Sequence, residues 1–260
     1  MKKLFIVFLL LCFAGISFGQ KKTRCTVPSV IASADVPICS GSSTTLTVTA
    51  SEGSAPYTYQ WSPATGLSST IISNPVASPT TTITYTVLVT DAATCTGTDM
   101  VTVTVNSTPT ITITGTTTIC SGGSTTLAAS GGDTYLWSTT ETTTSIVVSP
   151  TTNTTYTVTG TNTATGCSNT QTSTVTILTP SAPTAGSNTP VCSGQTLSLT
   201  ANTIAGATYS WTGPNSFTSA SEDPTIAAVT IAASGTYSVT ATVSGCTGPA
   251  GTTAVTINQT

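Results

Sequence analysis

One pattern occurs three times along this chain and constrains what it can fold into. Each copy begins with Cys-Ser-Gly, continues with one tryptophan and a Tyr-x-Val triplet, and closes on a second cysteine. The middle residue of the triplet is threonine in the first two copies and serine in the third. Successive first cysteines are 81 (120 − 39) and 72 (192 − 120) residues apart, which exceeds the repeats of helical solenoids and suits domains with separate cores. The copies contain, in order, Cys39, Trp61, Tyr85 and Cys95; Cys120, Trp137, Tyr156 and Cys167; and Cys192, Trp211, Tyr237 and Cys246.

Each copy is built from short runs in which apolar residues alternate with threonine. Leu46 and Val48 alternate in this way, as do the apolar positions of residues 83–89 and 101–105. Period-two alternation predicts strands with one buried face. Because Gly, Pro, Asn and Asp separate the runs, we expect β-sandwiches. The tryptophans follow a turn on the third strand, and we expect them to pack in the core rather than to bind sugars.

The segment around the third tyrosine, Ser234-Gly-Thr-Tyr237-Ser-Val239, resembles the tyrosine corner of immunoglobulin-type domains. Tyr85 and Tyr156 occupy the matching place in the other copies. With the pattern Cys-Ser-Gly, Trp, Tyr-x-Val, Cys, residues 28–260 resemble the tandem bacterial immunoglobulin-like and PKD-like modules found in surface and secreted proteins of Bacteroidota.

The resemblance implies an all-β protein with three tandem immunoglobulin-like β-sandwich domains arranged as a rod. The domains would occupy residues 28–107, 108–179 and 180–260. The resemblance also implies a cell-surface stalk, adhesin or spacer, although sandwiches of this kind host many functions.

The chain opens like a secretory signal. Lys2 and Lys3 precede an apolar run, and small residues follow as far as Gly19, which are the three zones of an export leader. We expect cleavage after Gly19, with residues 20–27 left as a basic tail. The apolar run is too short for a spanning helix. We therefore expect a secreted or cell-surface protein without a membrane span, in a compartment that permits disulfides.

The distribution of charge excludes several functions. All five basic residues lie before residue 25, and all eight acidic residues follow it. Nucleic acid is not an expected partner, because phosphate binding needs clustered Lys and Arg. The chain has no histidine, so the Ser-His-Asp triad and the usual zinc sites cannot form, and we expect no enzyme. Asp91 and Asp99 flank a turn where carboxylates would suit calcium; solvated turn acids are the alternative.

The seven cysteines after the leader permit two pairing schemes. In an immunoglobulin-type sandwich, the two cysteines of one copy would lie towards opposite ends, roughly 20 Å apart, whereas a disulfide spans about 4.4 to 6.8 Å between Cα atoms. Both schemes stay open, and each leaves one odd cysteine, which points to an intermolecular partner or a missing neighbour. The intradomain scheme pairs Cys39 with Cys95, Cys120 with Cys167 and Cys192 with Cys246; the interdomain scheme pairs Cys25 with Cys95, Cys39 with Cys167 and Cys120 with Cys246.

These features together predict an exported structural or adhesive protein: a stalk, an adhesin segment or a filament subunit. Its partners would be further copies in head-to-tail contact, other surface proteins or glycans. The alternative is a glycan-binding accessory module with its site on the loops of the third domain. There, Phe217 is the aromatic residue that we expect to be exposed.

Overall fold

A computed structural model describes residues 25–259, so the expected leader and most of the basic tail lie outside the described residues. The chain divides into two compact units, and the first unit ends at Val105. Within residues 25–259, strands and turns prevail, with two short 3-10 turns and no α-helix. No helix in this range is long and apolar enough to cross a membrane.

The first unit is one β-sandwich, called here the first sandwich. Its strands are β1 (Ser29–Ala32), β2 (Val36–Cys39), β3 (Thr44–Thr45), β4 (Val48–Ser51), β5 (Thr58–Ser62), β6 (Val76–Ala77), β7 (Ile83–Thr90) and β8 (Thr96–Asn106). One layer has the order β2-β8-β7-β5, and the other contains the pairs β1-β4 and β3-β6. Along β7, Tyr85, Val87 and Val89 are buried while Leu88 is exposed, as the alternation predicts.

The second unit begins with another sandwich, the second sandwich. Its strands are β9 (Thr112–Thr114), β10 (Thr118–Cys120), β11 (Thr125–Ser130), β12 (Thr134–Trp137), β13 (Ser145–Val148), β14 (Thr154–Thr161) and β15 (Ser168–Leu178). The layers have the orders β10-β15-β14-β12 and β13-β11-β9. Strand β10 pairs with β15 in parallel, and the β11-β13, β11-β9, β12-β14 and β14-β15 pairs are antiparallel.

The third sandwich completes the second unit. Its strands are β16 (Ala185–Ser187), β17 (Val191–Cys192), β18 (Leu197–Ala201), β19 (Ala207–Gly213), β20 (Phe217–Ser219), β21 (Thr225–Ile226), β22 (Gly235–Val243), β23 (Cys246–Thr247), β24 (Gly251–Val255) and β25 (Ile257–Asn258). The layers are β16-β18-β21 and β20-β19-β22 with β23 and β24 on β22, while β17 pairs with β25 in parallel. The 3-10 turns are Pro214–Ser216 and Ile231–Ala233.

All three sandwiches share one layout. The strand with the Tyr-x-Val triplet lies between the strand with the tryptophan and a later strand of the same sandwich (β8, β15 or β24). A separate layer of strands covers these three strands. The predicted all-β fold of tandem immunoglobulin-like sandwiches is confirmed. The domain boundaries at residues 107/108 and 179/180 stay predictions.

Each sandwich has its own hydrophobic core. The tryptophans lie at the centre of these cores, with 1%, 2% and 0% of Trp61, Trp137 and Trp211 exposed. Each indole Nε1–H donates to a backbone carbonyl of the facing loop, at 2.9, 2.9 and 3.1 Å. A buried donor without a partner costs free energy, so the cores accept indoles only because these carbonyls are in reach.

Candidate functional site

A disulfide joins the second and third sandwiches. Cys120 and Cys246 are bonded, with their Cα atoms 5.2 Å apart. Cys120 ends β10 and lies in register with Leu178, the last residue of β15. Cys246 starts β23, directly after a tight turn in the next sandwich. The bond therefore ties the end of one sandwich to a hairpin turn of the next.

The same junction contains a cleft of about 320 Å³. Residues 120–121, 178–180 and 246–249 line it, and none of them is charged. A Cβ on Gly248 would lie 2.6 Å from the Pro180 carbonyl oxygen. Glycine thus allows the chain that enters the third sandwich to pass directly over the hairpin turn. This arrangement holds two sandwiches together.

The first sandwich has a comparable disulfide at its own hairpin turn. Cys25 and Cys95 are bonded, with their Cα atoms 5.7 Å apart. Asp91 organises this turn: its Oδ1 accepts the N–H groups of Ala93 and Cys95 at 2.9 and 2.8 Å, and its Oδ2 accepts the N–H of Ser54 at 2.8 Å. The carboxylate therefore fixes the backbone that carries the buried Cys95.

These hydrogen bonds determine the ionisation of Asp91. The bond from Ser54, together with those from Cys95 and Ala93, holds the pKa of the carboxyl below its usual value, although desolvation acts in the opposite direction. Only 5% of Asp91 is exposed, so the reading of a solvated turn acid is wrong for this residue.

Asp99, the second residue of the calcium interpretation, also has a structural role. Asp99 accepts the N–H groups of Ala32 and Met100, each at 2.8 Å. Among the described residues, no group of three acidic, cysteine or histidine side chains could hold a metal ion. Sequence reasoning missed the structural role of Asp91. A weak signal existed, because an Asp or Asn stands shortly before the second cysteine in both copies: Asp91 four residues before Cys95, and Asn162 five residues before Cys167. The Asn162 Oδ1 likewise accepts two turn N–H groups.

The disulfide bonds of the structure decide between most of the pairing alternatives. The intradomain scheme is wrong at Cys95 and Cys246, since both have other partners. Two pairs of the interdomain scheme are present, Cys25 with Cys95 and Cys120 with Cys246. Cys39 and Cys167 are not free either, and their mutual pairing stays a prediction. Cys192 is a free, exposed thiol, and the only one within residues 25–259.

The tyrosines of the three repeated motifs play different parts. Tyr237 donates its OH to the Ala233 carbonyl, four residues upstream, at 3.0 Å, which is a tyrosine corner. Tyr85 instead donates to Thr65, 20 residues upstream, at 2.7 Å, so it differs from the corner that the resemblance implies. Burial raises the pKa of both phenols. Tyr156 is 7% exposed and packs in the second core.

The Phe217 side chain is half-buried. Strand β20, which begins at this residue, pairs with β19 and carries the ring over the third core. There it meets Tyr237 edge-to-face, with ring centroids 5.6 Å apart. The expectation of an exposed ring is wrong, because the additional strand of the third sandwich gives the ring a packing partner. Phe217 is therefore half-buried, and the glycan-binding alternative stays a prediction.

Comparison with known proteins gives similarity to solved structures only. No family model matches the chain, and no curated protein matches it. Sidekick-1 immunoglobulin domains 1–5 are 13% identical over 92% of this chain and 60% of theirs, with a TM-score of 0.33. A structure from a 1.5-MDa bacterial ice-binding adhesin is 17% identical over 91% of this chain and 100% of its own, with a TM-score of 0.38. Three domains of the bacteriophage RB49 Highly Immunogenic Outer Capsid protein are 15% identical over 90% and 98%, with a TM-score of 0.36. At this level of similarity, nothing about function transfers.

Proposed function

We propose that this chain is an exported structural or adhesive protein, in which disulfide-linked immunoglobulin-like sandwiches form a load-resistant stalk, adhesin segment or filament subunit. Its place would be outside the cell, where disulfides persist. The body after Arg24 contains no Lys, Arg or His, so stability rests on apolar cores, backbone ladders and disulfides.

The observation that carries the proposal is the bond between Cys120 and Cys246. The two cysteines are 126 residues apart in the sequence, and the segment between them includes most of the second and third sandwiches. Force applied through the ends of the chain would pass across this disulfide instead of through the strands it encloses. The bond between Cys25 and Cys95 encloses a further 70 residues. A load-bearing spacer gains from both bonds, because each holds the enclosed segment together when the chain is pulled.

Single-molecule force extension tests this function. The chain from residue 20 onward is attached by both ends and pulled, first oxidised and then with reductant. Reduction should release at least about 430 Å of extra contour length from the Cys120–Cys246 loop and about 240 Å from the Cys25–Cys95 loop, at about 3.4 Å per residue.

The control is a chain with Cys192→Ser, which breaks no bond of the described residues. Its extension should match that of the parent chain in both conditions. An oxidised chain that already extends to the reduced length would contradict the proposal, because the sandwiches would then carry the load themselves.

A further inference from the structure

The loop around Cys192 repeats the loop around Cys120 at the level of the backbone. β17 pairs in parallel with β25 and places Cys192 opposite Asn258, just as β10 places Cys120 opposite Leu178. In both loops, the serine that follows the cysteine donates its N–H to that opposite residue, at 2.8 and 3.3 Å. The loop around Cys192 in the third sandwich therefore has the same backbone geometry as the loop that binds Cys246 in the second.

The two loops differ in what binds to them. Cys120 is bonded to Cys246, which directly follows the hairpin turn of the next sandwich and begins the tripeptide Cys246-Thr247-Gly248. Within residues 25–259, no such turn is bonded to Cys192, and its thiol is exposed. Since the geometry is repeated and one copy of it is occupied by a hairpin turn, the same kind of turn is the ligand that fits the other copy.

The first sandwich has a second turn of this kind, at residues 91–94, and Cys95 directly follows it. Cys95-Thr96-Gly97 repeats the tripeptide at Cys246. A Cβ on Gly97 would overlap the Pro28 carbonyl oxygen, just as one on Gly248 would crowd that of Pro180. Both turns are thus crossed by the chain that enters their sandwich. At Cys95, the cysteine partner is Cys25, which takes the part that Cys120 plays at Cys246.

The segment that holds Cys25 is loosely attached. Residues 25–27 are exposed, whereas Pro28 is buried. Cys95 itself is 3% exposed, so residues 25–27 must move aside before another thiol can replace Cys25. Because residues 25–27 are exposed, little packing opposes this movement.

We propose that Cys192 of one copy replaces Cys25 as the partner of Cys95 in a second copy, and so links copies head to tail. The Cys192 thiolate forms the new bond to the Cys95 sulfur, the Cys25–Cys95 bond breaks, and Cys25 leaves as a thiolate that takes up the proton lost by Cys192. One disulfide is consumed and one is formed, so no oxidant is required. This inference rests on the proposed structural function and names its partner as a second copy.

The test uses the chain from residue 20 onward, incubated at high concentration in a glutathione redox buffer, then acid-quenched and alkylated. We expect a ladder on a nonreducing gel, a cross-linked peptide containing Cys192 and Cys95, and alkylated Cys25. Cys25→Ser, which leaves Cys95 unblocked, should increase the ladder. Cys192→Ser should abolish it.

A relocated thiol serves as the matched control. The double variant Cys192→Ser/Ser221→Cys places a thiol on an exposed loop of the same sandwich, and we expect no bond from it to Cys95. The inference is overturned if Cys192 stays alkylatable in monomers of the Cys25→Ser variant, if it bonds only to another Cys192, or if the relocated thiol forms the same ladder. None of these results changes the force-extension behaviour of one chain, so the proposed function is tested separately.

Discussion

Removal of the Cys120–Cys246 bond should loosen the third sandwich by a predictable amount. When that sandwich unfolds while the second stays folded, the chain is anchored at Leu178, beside Cys120. The bond then closes a loop of 68 residues (246 − 178). The loop-entropy relation gives about 4 kcal/mol for a loop of this length. In the double variant Cys120→Ser/Cys246→Ser, the free energy required to unfold the third sandwich should fall by about that amount.

Hydrogen exchange followed by mass spectrometry measures this loss. Amides of β18 and β22, in the third core, should exchange about a thousandfold faster in the double variant, since about 1.4 kcal/mol corresponds to a factor of ten. The control Cys192→Ser removes a thiol without a bond and should leave these rates unchanged. An acceleration below about threefold in the double variant would refute the reasoning, because the bond would then not restrict the unfolded chain.

Three further substitutions probe individual contacts. Asp91→Asn should lower the urea midpoint of the first sandwich at pH 7. Because the folded pKa is depressed, that stabilisation is complete above the ordinary value near 3.8 and is lost as pH falls through the folded pKa; the difference should close in acid, and Glu52→Gln should show no such effect. Trp211→Phe removes the indole donor and should cost about 1–3 kcal/mol by urea denaturation, whereas an unchanged midpoint would contradict the buried hydrogen bond. Gly97→Ala should push against the Pro28 carbonyl and speed reduction of the nearby disulfide, as followed by thiol labelling; equal rates would argue against the close approach.

The strands and cores follow from local patterns, which is why the sequence predicts them. In the long strands, such as β7 and β14, apolar residues alternate with threonine, and one tryptophan and one Tyr-x-Val triplet recur in each copy. The connection between sandwiches could be argued because the two cysteines of a copy lie at opposite ends of a sandwich. Topology thus made the bond between Cys120 and Cys246 one of two open alternatives, and the structure contains this bond.

The contacts that the sequence did not predict depend on loop conformation. Asp91 accepts hydrogen bonds from N–H groups on two separate segments, and no residue pattern specifies that convergence. Tyr135 and Tyr209 likewise bond to backbone groups three to seven residues upstream, which requires the exact path of their loops. Phe217 was misplaced because strand β20 has no counterpart in the other copies.

A disulfide map of the purified monomer tests the central claim, that a disulfide joins the end of the second sandwich to the hairpin of the third. Pepsin is the suitable protease, because the chain has no Lys or Arg after residue 24 for trypsin to cleave. The account predicts nonreduced peptides that join Cys25 to Cys95 and Cys120 to Cys246, with Cys192 alkylated. A peptide that joins Cys192 to Cys246 would contradict it.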